Sequence, residues 1–396
     1  MSPLPDPQAG LSRADAMKLC VLGSANSIAL SGSRVTVSLT ALNQQFSTLT
    51  VGLLLAVFSF LPLLLAVPSG RWIDRIGAYR PLLLGSGLLC LGMLVSGVLS
   101  GPWALLATAS MMGLGGMLQQ VASQSVLGRG DPTDRLRNYS WSALSQSSAA
   151  ACGPALAGLM IDHAGFSQAF LLLALPPLGA IWMLHRGQRA LKTVAPPRVS
   201  APAARHRIAD LLMVPSLRQL LAVTIILTGA WDTHMFAVPI FGNEIGLSAT
   251  RIGAILSSFA AGTFAIRLVV PFLHNHVHPW TLTRAAMLLT VFNFLAYPLF
   301  TGGYVLMGMS FLLGLALGAS QPGVMAMIYQ ATPPGRQAEA AGLRLACVNC
   351  SQVSLPLLFG LLGSAIGVGP LFWVYAVCLA IGSWKYRRPP VETRHG

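Results

Sequence analysis

Long apolar stretches alternate with short polar interruptions along the whole chain. A helix that crosses the hydrocarbon core of a bilayer takes about 20 mostly apolar residues. Twelve such stretches can be placed, near 16–40, 48–69, 81–100, 103–127, 139–161, 167–185, 217–241, 249–272, 280–300, 303–330, 342–365 and 370–386. They fall six and six around one extended polar interval. The pattern therefore predicts a first six-helix bundle (1–185), a basic linker (186–216), and a second six-helix bundle with a tail (217–396). Ala-Pro-Pro and Ala-Pro-Ala elements keep the linker from forming a packed core. Its end, Arg207 to Pro215, reads equally as a short amphipathic helix on a membrane surface or as a lead-in to the seventh span.

Composition agrees with the periodicity. Of 396 residues, 54% are hydrophobic and 9% charged, against about 25% charged in a soluble chain. So few charges do not coat a water-soluble body of this size. The 40 Gly and 26 Pro are scattered through apolar runs, which membrane helices tolerate better than soluble ones. The six cysteines lie inside apolar runs as well, pointing to reduced thiols rather than a disulfide framework. Residues 1–15 carry no signal-peptide pattern, so the first apolar stretch is expected to remain as a span.

A net charge of +14 raises the question of nucleic acid, but the basic residues sit in short loops and are not interleaved with stacking aromatics. They sort by side instead. Arg71, Arg75, Arg80, Arg129, Arg135 and Arg137, the linker bases, and Lys385, Arg387 and Arg388 all fall on one face. The alternate loops (41–47, 101–102, 162–166, 242–248, 301–303, 366–369) are nearly free of bases, Arg251 at a span start excepted. Positive loops stay inside. Both termini are thus expected to be cytoplasmic, in a plasma membrane of the bacterial inner-membrane kind.

Between the second and third spans the chain reads Gly70-Arg-Trp-Ile-Asp74-Arg75-Ile-Gly77-Ala-Tyr-Arg80. Glycines for a tight turn, one acid and several bases make a compact charged element. This stretch resembles the loop 2–3 signature of the major facilitator superfamily, at the position that signature occupies. The resemblance implies an all-α integral membrane fold of 12 helices, two pseudo-twofold-related bundles, and secondary transport by alternating access. It also implies a cytoplasmic latch in which Asp74 meets the N-terminus of the eleventh span and an arginine such as Arg129 or Arg135. A weak internal repeat fits: Pro68 and Arg80 in the first half resemble Pro271 and Arg284 in the second.

A second stretch, Gly153-Pro154-Ala-Leu-Ala157-Gly158, resembles the superfamily's antiporter motif, in which Gly-Pro and small residues let the fifth and eighth spans approach closely. Generic close packing is the plainer reading of the same residues. Drug–proton antiporters of the superfamily usually carry an arginine in the fourth span. Here that stretch is Ala109-Ser-Met-Met-Gly113-Leu-Gly115-Gly116, with no base. The same span offers Gln119, Gln120 and Gln124, suited either to binding a polar solute or to bonding neighbouring helices.

Charges inside the spans single out further residues, since each costs about 2.5–3.5 kcal/mol at a helix centre. Arg34 in the first span and Asp232 in the seventh lie far from either end. His234, two residues past Asp232, points to another side of its helix. Asp232 or His234 is expected to carry a proton, and Arg34 to pair with Asp232 or with an anionic solute. Arg267 and Arg344 lie near cytoplasmic ends, as gate or snorkelling anchors. Trp231, Asn293, Gln321, Tyr329, Asn349 and Gln352 are candidate cavity-lining residues. His274-Asn-His276-Val-His278 is read as a solvated turn, and Cys347-x-x-Cys350 has no second pair for zinc.

No enzyme signature or phosphate-binding loop occurs. The expected function is proton-driven efflux of a small organic compound. An organic-anion carrier is the alternative within transport, and a non-transporting receptor or scaffold the alternative outside it. Protons, the solute and lipid are the expected partners. No cofactor is expected beyond a proton or other ion gradient, no nucleic acid, and the expected state is a monomer.

Overall fold

The computed structural model describes residues 13–127, 132–186, 208–273, 277–333, 336–387 and 389, and among them no strand occurs. The helices are α1 (Arg13–Asn43), α2 (Thr48–Ile76), α3 (Tyr79–Val98), α4 (Pro102–Leu127), α5 (Pro132–Ala164), α6 (Phe166–Leu173), α7 (Leu175–Arg186), α8 (Ile208–Leu212), α9 (Pro215–Glu244), α10 (Ala249–Leu273), α11 (Pro279–Ala296), α12 (Gly303–Ala331), α13 (Gln337–Ile366) and α14 (Gly369–Lys385). Each of the twelve predicted stretches is helical. The sixth is split into α6 and α7 at Ala174, just ahead of Pro176 and Pro177, which have no N–H to continue the ladder.

Among the described residues, eight rods are long and apolar enough to cross a membrane by length and composition alone: those at Thr48–Leu65, Tyr79–Val98, Phe166–Arg186, Pro215–Glu244, Ala249–Val269, Pro279–Leu299, Gly303–Ala331 and Gly342–Ile366. The other four are α1, α4, α5 and α14. α14 has only 17 residues, and α1, α4 and α5 are rich in hydroxyl and amide side chains. α5 also runs well beyond its apolar stretch, starting at Pro132 rather than near 139.

At the linker's end, α8 is five residues long, with Leu211 buried and Leu212 and Met213 exposed. Val214 separates it from α9 because it precedes Pro215 and is held extended, at φ −74° and ψ 112°. Residues 187–207 of the linker lie outside the described residues.

Packing sorts the chain into two compact units. The first is Met1–Gln45, Val57–Ser200 and Ser248–Ser257; the second is Phe46–Ala56, Ala201–Leu247 and Ser258–Gly396. The opening turns of α2 therefore belong with the second unit, and those of α10 with the first. In the first unit α1 packs on α5 and α3 on α4, and both crossings rest on paired glycines. A Cβ on Gly153 would lie 2.9 Å from the Gly32 nitrogen, and one on Gly115 2.7 Å from the Gly85 carbonyl oxygen, so only hydrogen fits at either crossing. One end of this unit is closed by an apolar cluster that includes Leu19, Ile73, Leu82, Val126 and Leu184. The second unit is held by aromatics: Tyr297 stacks on Phe372 at 4.7 Å, and Phe294 and Phe241 meet Phe372 edge-on.

Candidate functional site

In the first unit a cavity of about 70 Å³ lies between α1, α4 and α5. α4 supplies Gln119, Gln120 and Ser123, and α5 supplies Ser142, Ser145 and Gln146. Each set recurs at the three- and four-residue spacing that puts side chains on one helical face. α1 adds Asn26, which is 1% exposed and donates from its amide nitrogen to Ser86 Oγ at 2.8 Å. Gln119, 6% exposed, donates to Ser123 Oγ at 3.3 Å. The carbonyl oxygens of both amides are buried and accept no hydrogen bond among the described residues. Gln120 lines the cavity from an exposed position, and Gln124 does not line it.

α9 places its three predicted residues in different surroundings. His234 is wholly buried, 4.7 Å from the Phe259 ring and edge-on to Tyr297 at 5.9 Å. Neither of its ring nitrogens has a hydrogen-bond partner among the described residues. Trp231, half-buried, meets the same Phe259 edge-on at 4.6 Å. Asp232 is 7% exposed and lies on another side of α9, toward the Tyr375 phenol of α14. That phenol donates to the Ile226 carbonyl at 2.9 Å. In the first unit Arg34, half-buried on α1, holds its guanidinium 5.6 Å from the Phe58 ring centre, a cation–π contact.

Two further crossings are built from matching pieces. In the first unit a Cβ on Gly158 of α5 would lie 2.8 Å from the Ala249 carbonyl carbon and 3.0 Å from the Thr250 Cα, and one on Gly253 of α10 3.1 Å from the Pro154 carbonyl carbon. In the second unit a Cβ on Gly52 of α2 would lie 3.1 Å from the Gly360 Cα, and one on Gly360 of α13 3.1 Å from the Leu49 Cα. Pro154 and Gly158 are four residues apart, as are Pro356 and Gly360. Ser47 and Ser248 each accept a hydrogen bond three residues on, from the nitrogens of Thr50 at 3.2 Å and Arg251 at 3.3 Å, and each precedes its glycine by five residues. Here the internal repeat is plain, whereas sequence reasoning had found only the Pro68 and Pro271 pair.

One residue breaks the symmetry. Asp162, at the end of α5, accepts hydrogen bonds from the first nitrogens of α10, Ala249 at 3.1 Å and Thr250 at 2.7 Å. A carboxylate on a helix N-terminus also meets the positive end of the helix dipole. The repeat-equivalent residue, Ser364, turns its hydroxyl back to the Leu361 carbonyl at 2.7 Å instead.

Residues 19–309 and 294–396 match the family model described as Major Facilitator Superfamily. The chain belongs to that superfamily. It is 28% identical over 300 residues to the Methylenomycin A resistance protein of Streptomyces coelicolor, a match covering 72% of this chain and 54% of that relative. The chain thus spans about half the length of that protein. It is 21% identical over 329 residues to the uncharacterized MFS-type transporter YuxJ of Bacillus subtilis, covering 79% of this chain and 81% of that one.

Solved structures share the fold. A POT family transporter in complex with a thioalcohol conjugated peptide superposes at a TM-score of 0.77 with 12% identity, over 94% of this chain and 95% of that one. A bacterial homolog of the human lysosomal transporter Spinster, inward-facing and unoccupied, does so at 0.73 with 13% identity, over 93% and 92%. The family match and the long apolar helices together make the chain a multi-pass membrane protein of the superfamily.

The superfamily's loop 2–3 element departs from the tight charged turn expected here. α2 continues through Gly70 and Arg75 to Ile76, and only Gly77, at φ 82°, takes the left-handed backbone that ends it. The helix needs just this one turn glycine, so Gly70 is an ordinary helical position with open space beside it. Arg75 and Arg80 are exposed. The side chains of Asp74 and Arg135, and the whole of Arg129, lie outside the described residues. In the Gly-Pro stretch the two ends face different ways: Gly153 meets α1, whereas Pro154 and Gly158 meet α10.

Other predicted residues are apart from the cavity. Arg267 on α10, Gln321 on α12, and Arg344 and Asn349 on α13 are half-buried. Asn293 bonds the Met309 carbonyl at 2.9 Å and so ties α11 to α12. His278 caps α11 by accepting from the Trp280 nitrogen at 3.2 Å, while His274 and His276 lie outside the described residues. Sequence reasoning missed Asn26, Ser142, Ser145 and Gln146. Their three- and four-residue recurrence within apolar helices was the available signal.

Proposed function

We propose that the protein exports a small organic compound across a bacterial inner membrane in exchange for protons, with both termini cytoplasmic and two six-helix bundles joined by the 186–216 linker. The observation that carries the reading is the crossing of α5 on α10 at Pro154, Gly158 and Gly253, made by the stretch that resembles the antiporter motif. The resistance protein among the relatives supports efflux as well. In this reading the protein works as a monomer. The α5–α10 and α2–α13 crossings hold the outer ends of the spans together and part once per cycle, while Asp74 latches the cytoplasmic side in the alternate state. Asp232 carries the coupling proton, since His234 is sealed among aromatic rings. Arg34 answers its charge or that of the solute. Arg34, Arg267 and Arg344 would favour an organic anion instead, but no basic side chain lines the cavity between α1, α4 and α5.

The test is proton movement in proteoliposomes carrying a pH-sensitive dye, challenged with a library of metabolites and drugs under an imposed gradient. Solute-dependent proton flux opposite in direction to the solute is the expected result. Solute transport without proton flux overturns proton coupling, and flux in the same direction as the solute overturns exchange.

A further inference from the structure

We infer that the starts of α1 and α5 form a binding site for an anionic phospholipid headgroup, in the leaflet that meets this end of the first unit. The two helices run in parallel and touch at Gly32 and Gly153. Nearer their starts the Ser145 hydroxyl donates to the Cys20 carbonyl at 2.9 Å. Seven residues before Ser145, about two turns, α5 carries Asn138. There the helices no longer close on one another. A cavity of about 300 Å³ opens between them, lined among the described residues by Arg13, Ala16 and Met17 of α1 and by Asn138 and Trp141 of α5.

The donors of this lining set the sign of the ligand. Arg13 is exposed and makes no ion pair among the described residues. The nearest acid along α1, Asp15, is paired with Lys18 at 2.9 Å, and no acid lines the cavity among the described residues. A guanidinium keeps its charge and offers only donors, in a fork that fits phosphate oxygens. The Trp141 indole N–H likewise only donates. Asn138 is 2% exposed, and its amide nitrogen has no partner among the described residues. Turning that amide over exchanges a donor for an acceptor, but the anion preference rests on Arg13 and Trp141 and is left standing. A phosphatidylglycerol headgroup answers the amide either way, with phosphate oxygens or with glycerol hydroxyls.

The rim favours a lipid over a soluble anion. Met17 and Val21, four residues apart on one face of α1, are each 49% exposed, and Trp141 is 50% exposed. In a multi-pass membrane protein such apolar side chains meet acyl chains, and tryptophan gathers where hydrocarbon gives way to headgroups. A phosphate held by Arg13 would carry its acyl chains past Met17 and Val21. Phosphatidylcholine fits less well, because its own quaternary ammonium already answers its phosphate. An anionic headgroup instead gains from each base near the surface.

The test is native mass spectrometry of the detergent-purified full chain, titrated with phosphatidylglycerol or phosphatidylcholine of matched acyl chains. The first phosphatidylglycerol is expected to bind about 5-fold or more tightly than the first phosphatidylcholine, the worth of one basic contact to an anionic lipid. Arg13→Gln should bring the two lipids within about 2-fold of one another. Its unchanged phosphatidylcholine binding would show the chain intact, since Arg13 is exposed at a helix start. Trp141→Phe, which keeps an aromatic ring and loses the N–H, should weaken phosphatidylglycerol about 2-fold or more. Arg186→Gln, at an exposed base on the last turn of α7, should leave the preference unchanged. Equal affinity for the two lipids in the wild-type chain overturns the inference, as does a preference that survives Arg13→Gln. An equal loss in Arg186→Gln also overturns it, making the preference a diffuse effect of surface charge. Displacement of phosphatidylglycerol by an equal concentration of inorganic phosphate would assign the site to a soluble anion and overturn the lipid.

Discussion

Gly158→Ala on α5 tests whether the α5–α10 crossing is a moving part. The added methyl would sit 2.8 Å from the Ala249 carbonyl carbon and 3.0 Å from the Thr250 Cα, where carbon atoms settle at about 3.5–4.0 Å. Both neighbours are backbone, so no rotamer change relieves the overlap and α10 must shift bodily. Such overpacking costs about 1–3 kcal/mol. Alanine also gains about 0.8–1.0 kcal/mol of helix propensity over glycine, but in every conformation of α5, so that gain cancels between states. If α10 leaves α5 during the cycle, the overpacking falls on one state alone and moves the equilibrium about 5- to 150-fold toward separation. Gly360→Ala, whose methyl would stand 3.1 Å from the Leu49 Cα and the Thr48 oxygen, should shift it less. Gly87→Ala, with open space around the new methyl, should not shift it. The assay is double electron–electron resonance between spin labels at the exposed positions Ala164 and Arg251, read with transport rates. A distance distribution in Gly158→Ala like that of wild type and Gly87→Ala would refute the reasoning and make the crossing a static contact.

Burial of the Asp162 carboxyl pushes its pKa up, but hydrogen bonds from Thr250, Ser248 and Ala249 outweigh it and hold the group below the ordinary carboxylate range. A lowered carboxyl pKa stabilises the contact above the ordinary value and loses that effect as pH falls through the lowered one. The Ala164–Arg251 distance should therefore be constant from about pH 8 to 5 and lengthen below about pH 4. Asp162→Asn should weaken the contact by about 0.3–1 kcal/mol at neutral pH and erase the acid transition. Asp232→Asn should abolish solute-dependent proton flux while solute counterflow persists; unchanged flux would remove Asp232 from the coupling role. Cysteines introduced at Gln44 and Gly302 should react with an impermeant thiol reagent from outside intact cells and one at Ala203 should not, the reverse pattern inverting the topology.

Hydropathy was enough to locate all twelve helical stretches, because a bilayer sets a length that every span must meet with its backbone bonds made internally. The loop 2–3 residues, set among twelve spans, were enough to place the chain in its superfamily. Which side of each helix does the work was decided only by packing. A membrane helix is apolar toward lipid as well as toward its neighbours, so no amphipathic stripe marks its inner face; Phe292 and Trp384 are 67% and 72% exposed where a soluble protein would bury them. Gln119 was visible as a polar residue in an apolar span, but its convergence with Asn26 and Ser145 required three helices to meet. Gly52 and Gly360 looked like ordinary small residues until α2 was laid against α13 at van der Waals distance. His234 and Asp232, two positions apart, read as interchangeable proton carriers, and only the Phe259 and Tyr297 rings around one of them separate their surroundings. Such facing depends on contacts between residues far apart in the chain, which neither span length nor local composition encodes.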